Sequence, residues 1–172
     1  MIAGLKTPKE FLTHVVDPDM KSFAGPGLTE LRLAYHACNS LLSLSDWVIE
    51  THQGKRWTYR GAPRPAIPSG KKDFLKQLCE LEPHFAIVAD IANATKHLVL
   101  NQRRTALEGA PDIQVRLSGG FDPRSHGMGG GALYSLPRLR ILVRNGQDYV
   151  DVRMAAGRVH ELWKELIEEN GW

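Results

Sequence analysis

One segment limits the architecture of this chain more than any other: residues 28–52, LTELRLAYHACNSLLSLSDWVIETH. Stepped at about 100° per residue, its polar side chains Arg32, His36, Asn39, Ser40, Ser43, Asp46 and Glu50 gather into one arc. The other side carries Leu31, Leu33, Ala34, Tyr35, Ala37, Cys38, Leu41, Leu42, Leu44, Val48 and Ile49. A helix resting on one core surface needs an apolar stripe only a little over ~100° wide. A band covering about two-thirds of the circumference predicts burial against more than one neighbour, which means a helical bundle. Thr29 suits the N-cap, with Arg32 standing where a capping box carries an acid.

The flanking segments complete the layout. Residues 1–27 hold Pro8, Pro18 and the GPG of 25–27 around the apolar EFLTHVV, predicting a brief helix and then a loop. Residues 53–70, QGKRWTYRGAPRPAIPSG, read as a long Pro/Gly/Arg-rich connection, either functional or mobile. KKDFLKQLCELE predicts a short amphipathic helix with Phe74, Leu75, Leu78 and Leu81 inward, and Pro83 opens the next helix, over 84–98.

The second half alternates instead. DIQVRLS at 112–118 reads as a strand, and Asn145-Gly146 between two alternating runs signals a hairpin over 138–152. A turn on those two residues sets Val143 opposite Asp148, Ile141 opposite Val150, Leu139 opposite Val152, Arg140 opposite Asp151 and Leu142 opposite Tyr149. MAAGRVHELWKELIEEN then predicts a closing helix, with Ala155, Val159, Leu162, Trp163, Leu166 and Ile167 on one stripe and Gly171 as its stop. The fold class is α+β, mainly α: a helical bundle with a small antiparallel sheet before the C-terminal helix. One domain over 1–172 is expected, with a helical core at about 28–100 plus 154–170 and a β insertion at about 112–152.

Bulk properties narrow the function classes. The net charge is +3 with no run of five Lys/Arg, so a polyanionic partner is permitted but not demanded. Cys38 and Cys79 have neither metal nor redox spacing and read as small buried hydrophobes in a reducing, cytoplasmic setting. No stretch approaches transmembrane length, so no membrane partner is expected. HGMGGGA at 126–132 lacks the Lys-Ser/Thr end of a P-loop and the GxGxxG order, and no GxSxG occurs, so no cofactor is expected.

The candidate site lies in 88–100, VADIANATKHLVL, where Asp90, Asn93 and His97 span only about 60° of a helix whose only other polar residues there are Thr95 and Lys96. Buried polar groups need partners, since leaving one unsatisfied costs roughly 1–3 kcal/mol. His36, Asn39, Ser43 and Asp46 could supply them if the two polar lines face each other. The cluster would then be a satisfied interior network, a cleft with His97 as acid/base oriented by Asn93 or Asp90, or a metal site; the Glu-x-x-His spacing of di-metal bundles is missing, so no metal is assigned. Separately, Arg56, Trp57, Tyr59, Arg60 and Arg64 interleave base-stacking aromatics with phosphate-binding cations, and Arg103 and Arg104 could extend that surface toward RNA or a nucleotide.

AYHACNSLLSLSDWVIE followed by VADIANATKHLVL resembles an uncharacterised bacterial family and is similar to the wider HEPN group of helical bundles, often dimeric, many of them defence ribonucleases or toxins. The resemblance covers about residues 28–100. It implies a helical Arg-x(4–6)-His motif, in which His97 matches the histidine and Asn93 the polar residue after the arginine. The arginine position is Ala92, and its alternatives are Asp90 and Ile91. Alanine cannot stabilise phosphate charge during cleavage. The expectation is a HEPN-like homodimer binding nucleic acid or nucleotide without nuclease activity. The alternatives are a hydrolase or ribonuclease using His97, Asn93 and Asp90, supported by His36 and Asp46, and a regulatory subunit of a defence or toxin–antitoxin pair.

Overall fold

The structure is a computed structural model and describes residues 4–25, 31–94, 113–118, 138–145 and 148–172. Mainly helical, with two antiparallel sheets, it has the α+β class that the periodicities predict.

The N-terminal helical segment is longer than the brief helix expected. It runs as α1 (Pro8–Phe11), a π-helical stretch (Leu12–Val16) and α2 (Asp17–Ala24). Thr7 starts it with a complete capping box: Thr7 Oγ1 accepts from Glu10 N–H at 3.1 Å, and Glu10 Oε2 accepts from Thr7 N–H at 3.1 Å. The wide turn has a local cause. Pro18 has no N–H to donate and its ring crowds the carbonyl four residues back, so the helix loosens there, with Asp17 N–H bonding back to Leu12 O.

Helix α3 (Leu31–His52) is central: α1, the π stretch, α2, α4, α5 and α6 all pack on it. This is the multiple burial demanded by its wide apolar band. Ala34, Ala37, Cys38, Leu41, Leu44 and Val48 are wholly buried. Thr29, its expected N-cap, lies outside the described residues.

The 53–70 connection is not a bare loop. It forms a hairpin of β1 (Trp57–Tyr59) and β2 (Ala62–Arg64), with Trp57 paired to Arg64 and Tyr59 to Ala62. The turn residues Arg60 and Gly61 both have positive φ, 52° and 74°, as a tight primed hairpin turn requires. Helix α4 (Lys71–Leu81) buries Phe74 and Leu78, with Leu75 and Leu81 half-buried against the core. Helix α5 is described over His84–Ala94, so its expected continuation to residue 98 lies outside the described residues.

The second sheet has the order β3 (Ile113–Ser118), β4 (Arg138–Asn145), β5 (Asp148–Asp151). Its hairpin register corrects the sequence reading by two residues. Val143 pairs with Val150, Leu142 with Asp151 and Asn145 with Asp148, so Gly146 and Gln147 are bracketed instead of Asn145 and Gly146. Ending the strand at Asp151 also frees that residue to cap α6 (Val152–Asn170), where its carboxylate accepts from Arg153 N–H at 2.8 Å. Val152 therefore belongs to the helix, and Arg140 meets Asp151 diagonally, at 3.7 Å. The buried stripe of α6 is the predicted one, and Gly171 closes it in the left-handed conformation.

Candidate functional site

The polar arc of α3 faces outward onto a groove. Arg32, His36, Asn39, Ser40, Ser43, Asp46 and Glu50 all line a cavity of about 1060 Å³ whose other wall is the N-terminal segment, through Lys6, Phe11, Val15 and Asp19. Its floor is apolar, with Phe11 and Trp47 stacked at 5.2 Å and 27° between ring planes. Asn39 Nδ2 donates to Tyr35 O at 3.0 Å, and Asp46 is held by Lys71 Nζ at 2.6 Å. Both charge signs are present, so the groove is not built for a polyanion.

The anticipated Asp/Asn/His cluster between helices turns on His97, which lies outside the described residues. Helix α5 packs on α3, yet no α5 residue lines the groove. Asp90 is 8% exposed and Asn93 half-buried. Asp90 lies instead near Cys79 of α4: burial pushes that thiol's pKa up, and the Asp90 charge adds to the shift. Ala92 is fully buried. His97, Arg103 and Arg104 lie outside the described residues. Among the described residues no three of His, Cys, Asp and Glu gather where a metal ion could be held.

The aromatic and basic residues of the first hairpin are turned to internal use. Trp57 is 2% exposed and packs on Phe74 and Trp172 at centroid distances of 6.1 and 6.0 Å, so as a platform for stacked bases it is corrected to a core residue. Arg60 lies over the Tyr59 ring at 5.0 Å and pairs with Glu165 at 3.1 Å. Glu169 takes the turn's backbone N–H groups, Arg60 at 2.7 Å and Gly61 at 2.9 Å. Asn170 holds both backbone groups of Thr58, accepting from its N–H at 2.8 Å and donating to its carbonyl at 2.9 Å. Of that cluster, Arg56 is exposed and has no such role.

A basic surface that the sequence reading passed over comes from the second sheet. Strand alternation puts Arg138, Arg140, Leu142 and Arg144 on one face of β4. Register then sets Arg116 opposite Arg140, Ser118 opposite Arg138 and Gln114 opposite Leu142 on one side, with Tyr149 opposite Arg144 and Asp151 opposite Leu142 on the other. Register thus places four arginines and, among the described residues, one acid along this face. Arg140 keeps 58% of its side chain exposed, Arg144 is exposed, and Tyr149 is 38% exposed. The reverse face of β4 supplies Ile141 and Val143 to the core. The signal was present as R-L-R-I-L-V-R and Q-V-R, but only strand pairing shows that the arginines converge.

No family model, no curated protein and no solved structure matches this chain. Among the described residues no helix is long and apolar enough to cross a membrane.

Proposed function

We propose that this protein binds single-stranded nucleic acid on the arginine face of its three-stranded sheet, and does so without cleaving it. One observation carries the reading: Arg116 and Arg140 stand directly opposite each other in a ladder that also carries Arg138 and Arg144. Like charges directly opposite destabilise a sheet, so a face that keeps them is suited to a polyanion that neutralises them. Guanidinium forks match phosphate oxygens, and exposed Tyr149 offers a ring on which an unpaired base can stack. Alanine at position 92 removes the cation that a HEPN-type ribonuclease uses, which supports binding over cleavage. The same resemblance brings a homodimeric state into the proposal.

The test is fluorescence anisotropy with a labelled single-stranded RNA. Wild-type protein binds at low salt, and affinity falls steeply as salt rises. Arg140→Glu with Arg144→Glu weakens binding by at least about tenfold, because each phosphate contact is exchanged for repulsion. Arg60→Ala leaves binding within about twofold, since that guanidinium is committed to Glu165. Equal affinity of wild type and the double variant at low salt would sink the proposal.

A further inference from the structure

The groove along α3 has an internal symmetry in its chemistry. Arg32 and Glu50 are equally distant in sequence from Leu41, and so are His36 and Asp46, Asn39 and Ser43, and Tyr35 and Trp47; every one of these side chains lines the groove. The contacting face of any helix is spaced symmetrically about its midpoint, so spacing alone means nothing. The residue types carry the argument. Base matches acid in the outermost pair, imidazole matches carboxylate in the next, amide matches hydroxyl near the centre, and aromatic matches aromatic along the flank. A helix laid antiparallel on a copy of itself brings together residues equidistant from the crossing point. Parallel alignment would instead set Arg32 against Arg32 and Glu50 against Glu50.

We infer that the groove is occupied by a second copy of this chain, with α3 packed antiparallel on the second copy's α3 about a two-fold axis near Leu41. Such a contact is isologous, with each pair occurring twice. Each α3 lies over the groove between the other copy's α3 and its N-terminal segment, covering the Phe11–Trp47 stack and exposed Leu31. The mixed charge of the lining, with Lys6 and Arg32 against Asp19, Asp46 and Glu50, suits a like-composed protein surface and not a nucleic acid. A face about 30 Å long and about 20 Å wide gives on the order of 600 Å² per copy, the lower edge of stable interfaces, so the dimer is of moderate affinity. This inference deepens the dimeric part of the proposed function and is independent of the nucleic-acid part, because none of its residues belongs to the sheet.

Sedimentation velocity of the full chain over a range of concentrations tests it. Wild type shows a reversible monomer–dimer equilibrium. Arg32→Glu alone and Glu50→Arg alone each weaken association by at least about tenfold, since each sets like charges face to face twice per dimer. The combined variant restores association to within about twofold of wild type, because both pairs re-form with their signs exchanged. Far-UV circular dichroism of each variant verifies that the fold is retained, and the combined variant serves as the control for any general cost of either substitution. A wild-type chain that stays monomeric overturns both this interface and the dimeric reading, leaving the groove to another occupant. A dimer indifferent to the single reversals, or not restored by the exchange, overturns this interface alone.

Discussion

At residue scale, the most instructive position is Glu169, an exposed acid that works on backbone. Its carboxylate accepts from Gly61 N–H and Arg60 N–H across the hairpin turn, where Arg60 is the only non-glycine residue with positive φ among the described residues. Asparagine or glycine would ordinarily occupy such a site. Here, capture of the amides by Glu169 and of the guanidinium by Glu165 compensates. The hydrogen bond from Gly61 N–H, with others from the Thr58 side chain and Arg60 N–H, holds the Glu169 pKa below its ordinary 4.5. A carboxylate so depressed contributes stability that is present above 4.5 and is lost as pH falls through its folded value. Glu169→Gln should therefore melt below wild type at neutral pH, with the gap closing as pH drops below 4.5; thermal scans across pH check this, and a gap independent of pH would contradict it. Cys38 illustrates the opposite extreme, its thiol pushed up to about 12 by burial alone. The sequence made that residue legible as a buried hydrophobe, since apolar neighbours surround it at helical spacing. It did not make Glu169 legible, because nothing local announces an acid that caps a turn more than a hundred residues away.

At element scale, α6 is the part on which the others converge. Its N-terminus is capped by the last residue of β5, its buried stripe meets α3 and α5, and its C-terminal turn clamps the first hairpin through Glu165, Glu169 and Asn170. Trp163 ties it to α3: the indole Nε1–H donates to Leu41 O at 3.0 Å, and the ring packs on Phe85 and Phe74 at 5.8 and 6.5 Å. Trp163→Phe removes that bond and leaves a void that the rigid helix pair cannot close, costing roughly 2–3 kcal/mol. For a domain of this size that is a fall in Tm of about 5–10 °C, measurable by calorimetry. The Trp163 stripe was plain in the sequence as a 3.6-residue repeat. The first hairpin was not, because its turn lacks the Asn-Gly or Asp-Gly signal and its prolines suggested irregular chain.

For the whole molecule, charge and apolar surface are divided between two separate faces: arginines on the sheet, and a groove of mixed sign along α3. Neither follows from the net charge of +3, which only permits a polyanionic partner. If the groove closes on a second copy, folding is linked to association and Tm rises with protein concentration. A hundredfold increase should raise the Tm of wild type by a few degrees and leave that of Arg32→Glu nearly unchanged; differential scanning fluorimetry at several concentrations reads this directly, and identical slopes for the two proteins would contradict it. Sequence by itself determined the long helices, the strands of the second sheet and which side of the main helices is polar, because the 3.6 and 2.0 residue periods are set by local backbone geometry. Only the tertiary structure decided what those faces meet. The α3 arc opens beside the N-terminal segment, Trp57 turns into the core instead of outward, and the second hairpin pairs two residues away from its expected register. Such choices depend on how the apolar areas of segments distant in the chain are buried together, a sum over the whole fold that no local pattern contains.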